Sequence, residues 1–403
     1  MIIVWTPNRT TISADQFLQI GSDMAYDAGE PLSDPVLEML ADISRAVLQD
    51  AELKAGQQYV ALSYWLRKAA LTRLVADLQK QTEGNFIPTC RGVALHLPPT
   101  NVDTIFVYSW ALSVLAGNAN IVRLSEHLSP STERLVEVIA GVVAAHGQAD
   151  RQIFCTYKYD SDIERQISAL CDLRMIWGGD AKVEAVSKVS IRPDGLSIGF
   201  PDRKSLSIIS AKAYFNAADE VRDALAAQFY NDMYWFDQMA CGSPRLLAWL
   251  GDSTPVADDF YARLRKVISD RQYVVDVGAA IGKIALGNDL LAEGRSVYQS
   301  MFDNGLTINR LVDPKSAFSK THGAGFLCEW TVAELGELRS LMIRSVQTIT
   351  YFGFNQEDCR RIGKLIAGRG GYRIVPVGQA LQFGPIWDGV DLFSHMTRKI
   401  VIS

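Results

Sequence analysis

Short apolar segments alternate with helical segments between Gly92 and Ser210, and this alternation constrains the fold more than any other feature. The apolar segments are VALHL, NIVRL, IFCTY, LRMIW and LSIIS. Helical patterns of about ten to fifteen residues separate them, which is the spacing of parallel strands joined by crossover helices. We therefore predict a Rossmann-type parallel sheet, with LSIIS as its last strand.

The rest of the chain predicts further domains around this sheet. The residues before Gly92 read as mostly helical, and after Ser210 a second alternating region includes QYVVDV and TITYFGF as strands. We predict N-terminal helices and a cofactor-binding domain over residues 1–210 and an α/β catalytic domain over 211–375. The segment 376–403 is expected to return to the cofactor domain or to form an oligomer contact.

Composition excludes several classes of protein. The 403 residues carry a net charge of -5 and no basic run, so a nucleic-acid partner is not expected. No residue between Asp103 and Arg123 is charged, but the serines, glycine and asparagines there favour a buried helix and strand over a membrane span. The six cysteines form no CxxC pair, and the first residues lack a secretory pattern. We expect a cytoplasmic protein with free thiols and no metal site.

Polar residues follow the predicted strands where ligands bind in parallel sheets. Asn101 could donate its amide to a developing negative charge, or it could simply complete a proline-rich turn. The run Gly178, Gly179, Asp180 could receive a phosphate, or it could form a turn with Asp180 capping the next helix. Arg123 could pair with a phosphate or face solvent.

Cys241 lies in FDQMACGSPR, after a predicted helix and before a strand. Main-chain N–H groups in such a loop could hold an oxyanion, which would suit a cysteine nucleophile. A lone cysteine is more often a small buried apolar residue. From the local sequence both interpretations stay open.

The order of several motifs resembles the acyl-CoA reductase family, a branch of the aldehyde dehydrogenase superfamily. In chain order these motifs are GVALHLPPTN, ALSVLAGNANIVRLSE, MIWGGD, FPDRKS, FDQMACGSPR and a late WDG. The resemblance covers residues 90–400. It implies an aldehyde dehydrogenase-like α/β fold with a cofactor domain and a catalytic domain.

The resemblance also implies a nicotinamide cofactor and its contacts. Arg123, Ser125 and Glu126 match the superfamily positions that hold the adenosine ribose, and an arginine there suits the 2′-phosphate of NADPH. The pyrophosphate position becomes Gly178, Gly179 and Asp180. Because an acidic side chain opposes phosphate, we expect Asp180 to cap the helix instead.

The catalytic residues follow from the same resemblance. Cys241 matches the superfamily nucleophile, and Asn101 matches the asparagine that donates to the oxyanion, although Thr100 departs from the usual tryptophan. Phe200 stands where hydrolytic members have a glutamate base. The resemblance therefore predicts NADPH-dependent reduction of an acyl thioester, with an NAD-dependent aldehyde dehydrogenase and a non-redox acyl-transfer or scaffold subunit as alternatives.

The partners expected on this basis are small molecules and other proteins. The acyl donor could be acyl-CoA, a carrier protein or an acyl-activating ligase that holds the acyl group. By analogy with the superfamily we expect a homo-oligomer.

Overall fold

The computed structural model describes residues 1–24, 29–81, 84–99, 102–158 and 161–403. The chain divides into two compact units. The first contains Met1–Pro201 and Phe383–Ser403, and the second contains Asp202–Gln382.

The first unit is an α/β layer structure. Its strands before Pro201 are β1 (Ile2–Val4), β2 (Thr10–Ile12), β3 (Phe86–Cys90), β4 (Val93–Leu97), β5 (Ala119–Arg123), β6 (Gln152–Thr156), β7 (Leu173–Trp177) and β8 (Leu196–Phe200). Its helices there are α1 (Ala14–Met24), α2 (Asp34–Gln49), α3 (Gln57–Leu66), α4 (Lys68–Gln81), α5 (Ile105–Leu115), α6 (Pro130–Ala145), α7 (Ser161–Leu170) and α8 (Asp180–Ser187), with a 3-10 turn at Leu53–Ala55.

The described part of this unit forms a seven-stranded sheet in the order β2-β1-β6-β5-β4-β7-β8. The neighbouring strands β6, β5, β4, β7 and β8 all pair in parallel. This confirms the Rossmann-type prediction for VALHL, NIVRL, IFCTY and LRMIW. β1 pairs antiparallel with β6, and β2 pairs antiparallel with β1 at the edge, an extension of the sheet that the sequence did not predict. Every residue of β4 is buried, because β5 and β7 flank it and helices cover the sheet.

The second unit contains a separate sheet. Its strands are β9 (Lys204–Ser210), β10 (Pro244–Leu250), β11 (Ser296–Phe302), β12 (Leu306–Leu311), β13 (Phe326–Val332), β14 (Val346–Phe352) and β15 (Arg373–Pro376). Its helices are α9 (Ala211–Phe215), α10 (Asp219–Tyr234), α11 (Ala257–Asp270), α12 (Val277–Ala292), α13 (Ser316–Ser319), α14 (Leu338–Leu341) and α15 (Gln356–Ile366), with a 3-10 turn at Leu335–Glu337.

The prediction that LSIIS closes the first sheet is wrong. The second sheet has the order β11-β12-β13-β10-β9-β14-β15, and LSIIS forms β9 near its centre. Ile208 pairs with Ala248 on one side and with Tyr351 on the other. The apolar pattern predicts a buried strand correctly, but its sheet partners come from segments far along the chain.

The predicted strand QYVVDV is also wrong. The structure describes residues 272–277, and they form no strand. Val274 is 83% exposed, and the Asp276 carboxylate instead accepts a hydrogen bond of 2.8 Å from the Gly278 N–H at the start of α12. The apolar run therefore leads into a helix without a neighbouring strand.

The last residues return to the first unit. They form β16 (Ile386–Trp387), β17 (Val390–Asp391), α16 (Leu392–Met396) and β18 (Thr397–Val401). β18 pairs antiparallel with β3, and Leu392, Phe393 and Met396 are buried in the core of the first unit. The structural divisions follow Pro201 and Gln382, whereas the sequence analysis placed its boundaries after residues 210 and 375.

The uncharged stretch after Asp103 forms α5 and β5. All eleven residues of α5 are buried within the first unit. In the part of the chain that the structure describes, no helix is long and apolar enough to cross a membrane.

Candidate functional site

Cys241 lies on a loop, residues 235–243, between α10 and β10. Asp237 and Gln238 in this loop have positive φ angles of 49° and 63°. The fully buried Gln238 side chain donates to the main-chain oxygens of Pro244 (2.8 Å) and Phe326 (2.9 Å). Its amide oxygen accepts from the Gly325 N–H at 3.2 Å. One buried amide thus fixes an unusual backbone turn.

The backbone at Cys241 is held closely by its neighbours. The Ser205 hydroxyl donates to the Cys241 carbonyl oxygen at 2.6 Å. A Cβ atom on Gly242 would lie 2.6 Å from the Ala380 carbonyl oxygen, so a larger residue does not fit there. The Cys241 side chain itself is partly exposed. The loop therefore presents a thiol from a fixed main chain.

A buried cation lies near this thiol. Arg245 donates to the His322 carbonyl oxygen at 2.6 Å. Burial lowers the pKa of Arg245 to about 10, while Cys241 and Cys328 act in the opposite direction. Arg245 therefore stays charged at neutral pH and favours the thiolate form of a nearby cysteine.

The other cysteines offer a contrast. Cys90, Cys155, Cys171 and Cys328 are buried, and Cys359 on α15 is partly exposed. Burial raises the pKa of the Cys328 thiol to about 12 and also raises the pKa of Cys155 and Cys171. These three thiols stay protonated and unreactive.

Arg123 ends β5 at the carboxyl edge of the first sheet. Its Nη2 donates to the Tyr157 carbonyl oxygen at 3.1 Å, and its guanidinium lies 4.9 Å from the centre of the Tyr157 ring. Its Nε is buried and has no hydrogen-bond partner among the described residues. Close by, the Ser125 hydroxyl accepts from the His127 N–H at 3.1 Å, and Glu126 is exposed.

A cavity of about 210 Å³ opens beside these residues. It lies where β4 and β5 end, which is where sheets of this topology bind ligands. Asp103 on its wall accepts a hydrogen bond of 3.2 Å from the Tyr59 hydroxyl. The described residues that line it are Pro98, Pro99, Val102, Asp103, Phe106, Leu124, Ser125, His127, Leu128, Ser129 and Thr132.

The expectation that Asp180 caps α8 is wrong. Gly179 occupies the N-cap position with extended backbone angles (φ -65°, ψ 159°), and no side chain caps the helix there. Asp180 is the first residue of α8 and is exposed. The helix begins one residue earlier than a capping Asp180 would require.

Lys182, which the sequence analysis did not single out, lies in the same region. From the first turn of α8 its Nζ donates to the Leu97 carbonyl oxygen (3.2 Å) and the Pro98 carbonyl oxygen (2.7 Å), where β4 ends. Burial, and secondarily the charge of Arg123, lower the pKa of Lys182 to about 8, against a raising effect of Glu164. The structure thus brings Lys182 and Arg123 into one electrostatic environment.

Three further positions named in the sequence analysis are Thr100, Asn101 and Phe200. Asn101 and Thr100 lie outside the described residues. Phe200 ends β8 and is buried, and its ring stacks on Trp177 with ring centres 4.0 Å apart and planes 19° apart. A packed aromatic ring supplies no base.

Several residues that support the Cys241 loop and the start of α8 were not predicted from the sequence. Gln238 and Arg245 lie in FDQMACGSPR, the motif that contains Cys241. Polar residues so close to the cysteine could have indicated that they support it. Ser205 lies in the quoted motif FPDRKS, but its contact with Cys241 could not be predicted, because the two are distant in sequence. Lys182 lies in none of the quoted motifs, and its partner Pro98 is also distant.

Comparison with solved structures identifies the fold. An NADP-dependent enzyme of E. coli aligns with a TM-score of 0.68 over 99% of this chain and 94% of that one, at 13% identity. An aldehyde dehydrogenase of Mycobacterium tuberculosis, solved with NAD+, aligns with a TM-score of 0.65 over 100% of this chain and 94% of that one, at 15% identity. The chain has an aldehyde dehydrogenase-like fold.

Sequence relatives point to acyl reductases. A long-chain acyl-protein thioester reductase of Aliivibrio fischeri is 29% identical over 168 residues, which are 41% of this chain and 33% of that protein. A second such reductase, from Photobacterium leiognathi, is 27% identical over 176 residues, 43% of this chain and 35% of that protein. The chain thus matches about one third of the length of these relatives.

A sequence model of the acyl-CoA reductase (LuxC) family matches residues 68–275, just over half of the chain. The matched range contains the cavity at the ends of β4 and β5, the start of α8 and the Cys241 loop. The chain belongs to the acyl-CoA reductase (LuxC) family.

Proposed function

We propose that this protein reduces an acyl thioester to an aldehyde with NADPH, through an acyl group bound to the Cys241 sulfur. The observation that carries the proposal is the Cys241 loop, in which a partly exposed thiol stands on a backbone fixed by Gln238, Ser205 and Gly242. Family membership and the aldehyde dehydrogenase-like fold support the same chemistry.

In the first half-reaction the Cys241 thiolate attacks the carbonyl carbon of the thioester. A carbon–sulfur bond to Cys241 forms, the bond to the leaving thiol breaks, and that thiol departs and takes up a proton. Arg245 favours the thiolate form of Cys241 before the attack. The product is an acyl thioester on the enzyme.

The oxyanion needs donors fixed before the reaction. We assign this role to the Asn101 amide and the Cys241 main-chain N–H. Since Ser205 and the buried Gln238 amide restrain the loop, its N–H groups need little reorganisation when charge develops.

The residues at the carboxyl edge of the first sheet fit a nicotinamide dinucleotide. The Arg123 Nε is buried and donates to no described residue, so this N–H could donate to the 2′-phosphate of NADPH. Ser125 and Glu126 would face the ribose, and the N–H groups after Gly178 at the start of α8 would face the pyrophosphate. Asp180 is then an exposed acidic neighbour rather than a ligand.

When bound, NADPH supplies a hydride to the acyl carbon on Cys241. The resulting thiohemiacetal oxyanion collapses, the carbon–sulfur bond breaks, and Cys241 returns to its thiolate form as the aldehyde leaves. The packed ring of Phe200 provides no base to activate water, so release of free acid is disfavoured.

The acyl donor follows from the relatives. Two of them bear the name long-chain acyl-protein thioester reductase, which supports a long acyl chain carried by a protein thiol, in addition to acyl-CoA. An acyl-activating ligase or a carrier protein would then be the partner.

The test is the intact mass of the protein after mixing with short-chain and long-chain acyl-CoAs and with an acylated carrier protein, and again after adding NADPH. We expect a mass gain that maps to Cys241 and disappears with NADPH as aldehyde forms. Cys241→Ser should lose both, whereas Cys359→Ser, which removes the other partly exposed cysteine, should retain both.

Other outcomes would contradict the proposal. A mass gain that persists with NADPH would favour acyl transfer or an acyl-holding scaffold. Turnover of aldehyde with NAD and water, without acylation by any thioester, would favour an aldehyde dehydrogenase.

A further inference from the structure

We infer that Lys182 is the counter-charge of the cofactor pyrophosphate and makes up for the acidic residue at the start of α8. This inference rests on the proposed function, because it names a residue of the dinucleotide site. The two cationic side chains then bind different parts of the cofactor: Arg123 faces the 2′-phosphate and Lys182 faces the pyrophosphate.

The first support is the position of Lys182 in the sheet topology. The strand order β6-β5-β4-β7-β8 runs outward from β4 in both directions, so the crevice between β4 and β7 is the point where ligands bind. Lys182 spans this crevice, since it lies on the helix that follows β7 and donates to Leu97, the last residue of β4, and to Pro98 directly after it.

The second support is an unbalanced positive charge. Lys182 and Arg123 repel each other, and the repulsion adds to burial in lowering the pKa of Lys182. The opposing carboxylate is Glu164 of α7, which is buried and accepts a hydrogen bond of 3.0 Å from the Tyr157 hydroxyl. Two partly buried cations that share one environment favour an anionic ligand between them.

The third support is an available donor. An ammonium group has three N–H donors, and the Leu97 and Pro98 carbonyl oxygens accept two of those of Lys182. No other described residue accepts from it. The remaining N–H can therefore bind a phosphate oxygen without giving up the contacts to β4.

The fourth support is the chemistry of Asp180. A carboxylate at the first position of α8 repels a phosphate that approaches the helix N-terminus. An ammonium group in the same helical turn offsets that repulsion. This explains how the run Gly178, Gly179, Asp180 can serve a dinucleotide.

A purely structural role of Lys182 predicts a different effect of its substitution on cofactor binding. If Lys182 only joins α8 to β4, its removal lowers stability but leaves phosphate binding and its linked protons unchanged. The two roles can therefore be separated by binding measurements that do not depend on turnover.

The experiment is calorimetric titration with NADPH, NADH and adenosine 2′-phosphate. Lys182→Met should weaken NADPH and NADH alike by about tenfold or more and leave adenosine 2′-phosphate unchanged. Arg123→Met should weaken NADPH and adenosine 2′-phosphate more than NADH. Lys188→Met is the matched control, because Lys188 is exposed near the end of α8 and pairs with Glu184 at 2.7 Å.

A second readout is the proton uptake that accompanies binding. A phosphate beside Lys182 raises the pKa of its ammonium, so the wild-type protein should take up protons on binding NADPH near pH 8, seen as a dependence of binding heat on buffer ionisation. Lys182→Met should abolish the uptake. If Lys182→Met does not fold, Lys182→Arg tests the inference instead. This variant should bind NADPH with wild-type affinity but take up no proton on binding.

Two results would overturn the inference, and they differ. If Lys182→Met bound NADPH and NADH with wild-type affinity and proton uptake, Lys182 would only join α8 to the end of β4. The proposed function would be unaffected by that result. If the wild-type protein bound neither dinucleotide, the proposed function would fail and the inference with it.

Discussion

A single buried amide shapes the Cys241 loop. The Gln238 side chain joins two separate pieces of main chain, at Pro244 and at the adjacent residues Gly325 and Phe326. Gln238 itself has a positive φ angle that few residues adopt. The side-chain contacts stabilise a backbone that would otherwise be strained. The backbone at Cys241, the proposed nucleophile, thus depends on Gln238, to which we assign no chemical step.

We expect Gln238→Met to disturb this arrangement. Methionine has a similar length but leaves buried carbonyl and N–H groups without partners, at a cost of roughly 1–3 kcal/mol for each group. The free energy of unfolding should fall by at least about 2 kcal/mol, and Cys241 should acylate more slowly. Urea unfolding and the acylation rate measure the two effects.

The control is Gln356→Met, at an exposed glutamine of the same unit. It should leave both quantities unchanged. A Gln238→Met protein with the stability and acylation rate of the wild type would show that the amide does not support the loop.

The motif around Cys241 is local, so the sequence predicts a loop there, which the structure contains, and the catalytic role of Cys241 stays a prediction. It does not predict the role of Gln238, because Phe326 lies 88 residues further along the chain. Lys182 escaped notice for the same reason, since its partner Pro98 lies 84 residues away.

At the scale of elements, β4 carries a polar network through an apolar core. His96 on β4 contacts the Ser109 hydroxyl with Nδ1 (2.8 Å) and the Asn120 amide oxygen with Nε2 (2.9 Å). The Trp177 indole donates to the Ser109 hydroxyl at 3.1 Å. These partners suit a neutral imidazole that donates from Nε2 and accepts at Nδ1.

This network makes stability depend on pH. Burial lowers the pKa of His96 from 6.5 to about 4. The unfolded chain therefore binds a proton near pH 6.5 that the folded chain binds only near pH 4, so acid favours unfolding. The stability from this group is complete above pH 6.5 and should decline by about 3 kcal/mol as the pH falls to 4.

The measurement is urea unfolding at several pH values for the wild type and for His96→Gln. The loss between pH 6.5 and 4 should be smaller in His96→Gln, whatever its absolute stability. His127→Gln, at an exposed histidine, should keep the wild-type slope. Parallel curves for the wild type and His96→Gln would contradict the assignment.

Element prediction succeeded where the pattern is local. Apolar runs separated by helical periodicity identify β4, β5, β6 and β7 because each repeats the same strand–helix unit. The same pattern cannot say which sheet a strand joins, so β9 was assigned to the wrong one.

At the scale of the whole molecule, the last residues complete the core formed by the first. The Phe393 side chain is 1% exposed and lies in the same cluster as Trp110. The Asn118 amide donates to the Met396 carbonyl oxygen at 2.9 Å, and Arg91 donates to the His395 carbonyl oxygen at 2.7 Å. The core of the first unit is therefore incomplete without residues 383–403.

We expect Phe393→Ala to destabilise the first unit by about 3–5 kcal/mol, the usual cost of removing a buried aromatic ring. Urea unfolding followed by tryptophan fluorescence measures this loss. Phe215→Ala is the matched control, because Phe215 is 60% exposed. Equal stability of the two variants would show that the last residues contribute little to the core.

The sequence analysis left the destination of the last residues open. β18 pairs with β3 across some three hundred residues, as in Thr397 opposite Cys90. No pattern within a short segment such as KIVIS predicts that it pairs with a strand so far away in the sequence.

The unequal burial of the cysteines makes the protein suitable for selective labelling. Cys241 and Cys359 are partly exposed, while the other four cysteines are buried, so we expect a water-soluble electrophile to react first with these two. After Cys359→Ser, a fluorophore or cross-linker would therefore attach at Cys241. Under the proposed function, a reporter placed there would respond to an arriving acyl donor, in a protein that otherwise keeps its native thiols.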